Sequence, residues 1–297
     1  MPTYALKVNE ENNGLRLDVF LTKNLARTSS RSFVQRLIES HQVTVNGHSR
    51  KAHYSVSCGD DIAVNILDVA RDSVEPENIS LDIFYEDSDI FIVNKPAGLL
   101  VHPATGQYSG TLVNALLYRC QSLSDIHAPL RPGIVHRLDK ETSGVMVVAK
   151  NNSAHVHLAR QFERHTVFKR YVAVVAGSVE FEEGFIDAPL GRHPRYREKK
   201  AVVFYNAKEA KTSYRVLKRL KDRTLLALFP STGRTHQLRV HMTYLGFPIL
   251  GDEKYGKKNS FGRLALHAQA IGFRHPRSSR YIEFSTKTPL EFIKALE

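Results

Sequence analysis

Cysteine is nearly missing from this chain: Cys58 and Cys120 are the only two. That excludes a disulfide framework or a cysteine-based zinc site and makes a reducing compartment the expectation. Long apolar runs are missing too, since no stretch approaches the ~18 residues that a membrane span requires. The start, Met1-Pro2-Thr3-Tyr4-Ala5-Leu6-Lys7, lacks the apolar core of a signal peptide, so a cytoplasmic location without a membrane partner is expected. No G-x-G-x-x-G follows a predicted strand and no G-x-x-x-x-G-K-[ST] is present, which leaves dinucleotide or nucleoside triphosphate use without support. A G-x-S-x-G elbow is absent as well, so Ser143 carries no signature of a nucleophile. The 14 histidines include the pairs His155/His157 and His236/His241. Neither has the H-x-x-x-H spacing of a helical zinc site and no carboxylate cluster accompanies them, so neither metal nor cofactor is expected.

Acidic residues are scarce relative to basic ones: 30 Asp and Glu stand against 42 Lys and Arg, a net charge of +12 in 297 residues. Such an excess points to a polyanionic partner, because neutralising phosphates drives such binding. The hydrophobic share of 42% and charged share of 24% are ordinary for a globular protein, and the length suffices for one large domain plus a small one.

Leu17, Phe20, Leu21 and Leu25 recur at helical spacing. Thr28-Ser29-Ser30 then offer capping hydroxyls to a second helix, 31–40, burying Phe33, Val34, Leu37 and Ile38. Val43-Thr44-Val45 enters an Asn46-Gly47 hairpin turn. Seven basic residues, among them Arg27, Arg31 and Arg36, face two acidic ones between positions 16 and 51; a solvated face and an RNA-binding face are both open at this level. The pattern R-L-D, S-R-S-F-V-Q-R-L-I, V-T-V-N-G resembles the S4 RNA-binding domain. The resemblance covers residues 14–75 and implies that Arg27, Arg31 and Arg36 meet RNA phosphates. The polar segment 76–82, with Pro76 and two acids nearby, is expected to be a linker.

From 83 onward two strands surround the acidic turn Glu86-Asp87-Ser88-Asp89, and Lys95 to His102 forms a loop stiffened by Pro96 and Pro103. The spacing predicts helices over 111–119 and 153–163, the latter with Ser153 as cap and Val156, Ala159 and Phe162 on one face. Gly133-Ile134-Val135 and the apolar run after Gly144 read as strands around a polar turn that carries Asp139. From that turn alone, Asp139 could be a reactive group, a turn cap or a surface partner of Arg137. Residues 166–177 read as a strand with Tyr171, Ala173 and Val175 on one face. Positions 190–240 hold fourteen Lys and Arg against three acids, interleaved with Tyr196, Phe204 and Tyr205, which either stack unpaired bases or alternate into a core. Gly233 ends a strand and Thr235 is expected to cap the next helix, leaving Arg234 fixed at the junction, where phosphate contact is one available role.

Three separated segments then agree. N-K-P-A-G-L-L-V-H-P at 94–103, H-R-L-D-K-E-T-S-G at 136–144 and T-G-R-T-H-Q-L-R-V-H at 232–241, with K-R-Y-V-A-V-V-A-G at 169–177 and R-L-A-L-H-A at 263–268, resemble the motifs of the RluA-type pseudouridine synthases. The resemblance spans 83–297. It implies an α+β fold, with a mostly antiparallel mixed-sheet catalytic domain behind a small α/β S4-like domain. It also implies isomerisation of uridine in RNA, ribosomal RNA being favoured over transfer RNA, with no obligate protein partner. Carried over residue by residue, it makes Asp139 the essential carboxylate, Tyr171 the aromatic beside the base and Arg234 the partner of Asp139. His136, Arg137, Lys95 and Leu266 are assigned to the substrate. An RNA-binding factor without catalysis, and a glycosylase that cuts without rejoining, are the alternatives in other classes.

Overall fold

The computed structural model describes residues 3–25, 31–65, 74–104, 107–120, 123–126, 130–256 and 261–297, without the side chains of 31–33 and 36. Arg27 and the expected capping residues Thr28, Ser29 and Ser30 therefore lie outside the described residues, as do the side chains of Arg31 and Arg36. The chain divides into two compact units, Met1–Asp72 and Ser73–Glu297.

The first unit contains β1 (Thr3–Lys7), α1 (Leu17–Asn24), α2 (Arg31–Glu39), β2 (Val43–Val45), β3 (His48–Ser49) and β4 (Asp61–Asn65). Its strands form one sheet in the order β1-β4-β2-β3. Leu17, Phe20, Leu21, Val34, Leu37 and Ile38 bury the inward faces of both helices against Val43, Val45, Ile62 and Val64. Asn46 and Gly47 take left-handed φ of 52° and 77°, the pair of positive values that a two-residue turn needs to match strand twist. Asp18 is fully buried and has its carboxylate satisfied by accepting from Arg16 Nε at 3.0 Å and Gln35 Nε2 at 3.2 Å.

The second unit runs β5 (Asp82–Glu86), β6 (Ile90–Lys95), α3 (Leu112–Arg119), β7 (Ser143–Ala149), α4 (Asn152–Glu163) and β8 (Phe168–Ala176). There follow β9 (Glu183–Asp187), β10 (Leu190–Arg192), β11 (Lys200–Val202), β12 (Lys211–Arg219) and β13 (Arg223–Pro230). The chain ends with α5 (Gln237–Tyr244), β14 (Leu266–Arg274), β15 (Tyr281–Ser285) and α6 (Leu290–Lys294). Nine strands form one sheet, β5-β6-β7-β14-β8-β13-β12-β9, with β15 also paired to β14, while β10 and β11 form a separate ribbon. Only the β7–β14 pairing is parallel among the described strands, so the mixed, mostly antiparallel α+β architecture read from the sequence is the one observed.

Every residue of β7 is buried, as its unbroken apolar run requires for a strand covered on both faces. Gly144, at φ +120°, has no room for a side chain: a Cβ there would lie 2.2 Å from the Ala268 carbonyl oxygen. This close approach brings the residues just after Asp139 against β14.

Several local expectations change. Residues 76–82 fall within the second unit, where Glu77 is tied down: its N–H donates to the Asn114 carbonyl and its carboxylate accepts from Gly110 N–H, each at 3.0 Å. Gly133-Ile134-Val135 is loop rather than strand, with one isolated bridge from Ile134 to Val148. In α4 the cap is Asn151, which accepts from Ala154 N–H at 2.9 Å. That shift turns Ala154, His155 and Leu158 inward and leaves Val156 41% exposed. Tyr196, Phe204 and Tyr205 are exposed by 50%, 82% and 83%, so strand burial does not account for them.

Candidate active site

Asp139 sits in the loop that enters β7, and that loop is pinned from both sides. Leu138 is buried, and Thr142 N–H closes a turn on the Asp139 carbonyl at 3.1 Å. The Lys140 carbonyl accepts from Gly98 N–H at 2.9 Å and from Lys95 Nζ at 3.0 Å. Lys95 also donates to the carbonyls of Pro96 and Leu99, each at 2.8 Å. With its side chain fully buried and its three protons committed to carbonyls, Lys95 anchors the Asp139 loop and is not among the residues that line the Asp139 cleft. Burial lowers its pKa to about 8.

The Asp139 carboxylate is 19% exposed and accepts from Arg239 Nη1 at 3.2 Å. Arg239, not Arg234, is thus its guanidinium partner. Arg234 instead donates through Nε to the Glu209 carbonyl at 3.0 Å. The cause is the start of α5. His236, at φ 59°, precedes the first helical residue, and the Gln237 side-chain oxygen accepts from Arg234 N–H at 2.9 Å and from the Thr232 hydroxyl at 2.7 Å. The helix begins at Gln237, one residue later than a Thr235 cap would give, and Arg239, in its first turn, reaches Asp139. Arg239 is itself clamped: Nε and Nη2 make a bidentate pair with Asp252, each at 2.8 Å, and its guanidinium lies 5.1 Å from the Tyr255 ring centre. The Asp252 side chain is wholly buried and also accepts from the N–H groups of Lys254 and Tyr255 at 3.0 Å.

Asp139, Tyr171, His136, Arg137, Lys169, Arg234, His236, Arg239 and Leu266 line one cleft of about 500 Å³. Tyr171, on β8, pairs across to Ala268 of β14 and Leu228 of β13. Burial, and then the Asp139 charge, push its phenol well above the usual tyrosine range, so it rests protonated beside the carboxylate. Leu266 forms an apolar wall and is buried. Arg137 is exposed. His136 lines the cleft, but its Nε2 accepts from Val147 N–H at 3.1 Å and its ring stacks on Phe162 at 4.6 Å. It therefore braces the wall against β7 and Phe162. His241 is likewise structural, with its ring nitrogens on the Thr212 hydroxyl at 3.0 Å and the Ala188 carbonyl at 2.9 Å.

Sequence reasoning did not find Arg239 as the clasp, nor Asp252 and Tyr255 behind it. The signal was present in the second arginine of T-G-R-T-H-Q-L-R and in G-D-E-K-Y-G, an acid and a phenol with no chemistry of their own to explain them.

Burial holds four histidines neutral: the pKa of His102, His236 and His267 falls to about 4, and that of His136 to about 3. Below the ordinary value near 6.5, the unfolded chain takes up protons that the fold refuses. Their contribution to stability is complete above about pH 6.5 and is lost as pH falls toward 4. Together the loss is several kcal/mol, a large share of a typical ~5–15 kcal/mol. The melting temperature should fall steadily from pH 7 to pH 4.5, and a flat profile by circular dichroism would contradict neutral burial.

The sequence matches the family profile of RNA pseudouridylate synthases over residues 89–244 and that of the S4 domain over residues 15–62. It is 44% identical to an uncharacterized RNA pseudouridine synthase of Bacillus subtilis, covering 98% of this chain and 96% of that one. Identity is 42% to the ribosomal large subunit pseudouridine synthase D of Zymomonas mobilis, covering 97% and 95%. Among solved structures, human RNA pseudouridylate synthase domain containing 1 superposes with a TM-score of 0.61 at 28% identity, over 74% of this chain and 88% of that one. No described helix is long and apolar enough to cross a membrane. With its S4 domain ahead of a sheet that presents the H-R-L-D aspartate in a cleft, the chain belongs to the RluA-type RNA pseudouridine synthases.

Proposed function

We propose that this enzyme isomerises defined uridines of large-subunit ribosomal RNA, with Asp139 as the reacting carboxylate. The observation that carries the reading is the clasp: Arg239, fixed by Asp252, donates to Asp139 at 3.2 Å in a cleft that also contains a phenol and an aliphatic wall. A reacting carboxylate must be ionised yet partly dry. A guanidinium partner fixes the aim of the oxygen. A cleft of this size accepts one base, so the uridine is extruded from its helix, and exposed Arg137 at the mouth suits the space that the base vacates.

Within the cleft the N1–C1′ bond breaks, the uracil turns about, and C5 bonds to C1′. The C5 proton is then lost and N1 is protonated, with no net redox change. Tyr171 packs beside the ring and, resting protonated, serves as a stacking surface rather than as a phenolate base. The surplus of cations over 190–240 and the exposed Tyr196, Phe204 and Tyr205 supply phosphate contacts and stacking faces for the surrounding RNA.

A large-subunit ribosomal RNA transcript carrying tritium at C5 of uridine tests the reading. Stoichiometric tritium release with an intact chain supports isomerisation. Binding without release would leave an RNA-binding factor, and abasic sites would mean a glycosylase.

A further inference from the structure

His236 faces the reacting carboxylate in a conformation that few residues adopt. Its φ of 59° lies in the left-handed region, where an ordinary side chain is strained and where such strain is kept when the surroundings over-determine it. Its side chain is 16% exposed, and Nε2 lies 4.0 Å from Asp139 Oδ2. That distance is too long for a direct hydrogen bond. A substrate atom lodged against the carboxylate would be within reach of both groups.

The proton on this ring can be assigned. Tyr255 Oη accepts from Lys200 N–H at 2.8 Å and lies 2.7 Å from His236 Nδ1. A phenol has one proton to give, and among the described residues His236 Nδ1 is the acceptor in hydrogen-bonding reach. If Nδ1 carried a proton instead, the phenol would accept twice and its own proton would be left without a partner. With Nδ1 accepting and the ring neutral, the proton sits on Nε2, on the side of Asp139. The charged and titratable groups around the ring are Asp139 in the loop before β7, Arg239 on α5, and Asp252, Lys254 and Tyr255 in the segment after α5. Burial, with Arg239 and Lys254, keeps the imidazole neutral against the pull of the two aspartates.

We infer that His236 is a catalytic residue, a neutral Nε2–H donor to a uracil carbonyl oxygen, and that Tyr255 is the positioning residue that fixes its tautomer. The inference rests on the isomerase reading. Whether Asp139 adds to C6, attacks C1′ or assists elimination, negative charge spreads onto the ring oxygens of the base. A fixed donor already aimed there stabilises that charge without reorganising. Neutrality matters too: an imidazolium would pair with Asp139 and quench the carboxylate.

The test joins a spectroscopic reading to kinetics. Long-range ¹H–¹⁵N spectra of histidine-labelled protein, with the His236 signal assigned by its loss in His236→Asn, should show the Nε2–H tautomer at pH 7.5. The tautomer should be lost or mixed in Tyr255→Phe. Single-turnover tritium release from the C5-labelled transcript should fall about 10- to 100-fold in Tyr255→Phe, the scale of one hydrogen bond to a charged group. The transcript concentration at half-maximal rate should stay within about twofold. His236→Asn tolerates the left-handed backbone but withdraws the donor, and should fall at least as far. His236→Gln, whose amide reaches the Nε2 position, should recover part of the rate. An Nδ1–H or doubly protonated ring in the parent enzyme overturns the inference. So does a Tyr255→Phe variant with unchanged rate, or equal rates for the Asn and Gln variants. A parent enzyme that releases no tritium while showing the Nε2–H tautomer would instead sink the isomerase reading itself.

Discussion

Replacing Asp139 with Asn is expected to reduce tritium release by at least ~10³-fold while the affinity for the RNA transcript stays within about threefold. Both halves follow from the surroundings of the side chain. The Asn oxygen can still accept from Arg239 Nη1, now at 3.2 Å from the carboxylate, and Arg239 stays anchored by its two bonds to Asp252. The cleft therefore keeps its shape, and the melting temperature should hardly move. The loss is confined to a negatively charged oxygen able to attack or to abstract, and losses of that kind fall on the chemical step. Affinity is set elsewhere, by the many cations of a chain with net charge +12, so removing one half-buried negative charge does not weaken it. Filter binding and single-turnover release on the same preparation separate the two. Parallel loss of binding and rate would make Asp139 a structural residue of the RNA site.

The sequence made the motif residues legible because their chemistry is local. An ionisable turn between two apolar segments, a tyrosine in an alternating strand and an arginine at a strand-to-helix junction can each be placed from neighbours in the chain. The architecture was readable for the same reason, since β7 and β8 are long apolar runs and the Asn46-Gly47 turn has few alternatives. What stayed hidden depended on one backbone torsion or on contacts distant in sequence. Nothing in T-G-R-T-H-Q-L-R announces that His236 turns left-handed, yet that torsion decides which arginine meets Asp139. Lys95 sits in a motif that looks functional, and only the fold reveals that its ammonium group ties together three carbonyls beside the Asp139 loop. Asp252 lies thirteen residues beyond Arg239, and its burial is a property of packing that no spacing rule expresses.

Arg239→Met should damage stability and catalysis together, and a second substitution should separate them. Losing the guanidinium strands Asp252, whose side chain is fully buried, with only the N–H groups of Lys254 and Tyr255 among the described residues to hold its charge. Breaking a buried pair in this way costs ~3–5 kcal/mol, which for a unit of this size corresponds to a melting temperature lower by roughly 10 °C. Asp139 loses the donor that fixes its aim, so tritium release should fall ~10³-fold even where the protein remains folded. Adding Asp252→Asn removes the stranded charge while an amide oxygen can still accept from the two N–H groups. The double variant should therefore regain most of the lost stability, a coupling of the sort that neighbours sharing one bond display. It should not regain activity, because Asp139 remains unclasped. Arg234→Ala should lie within a fewfold of the parent in the chemical step, since its guanidinium serves the Glu209 carbonyl. If activity returned with stability in the double variant, Arg239 would be a scaffold for Asp252 alone, and the clasp on Asp139 would have no part in the reaction.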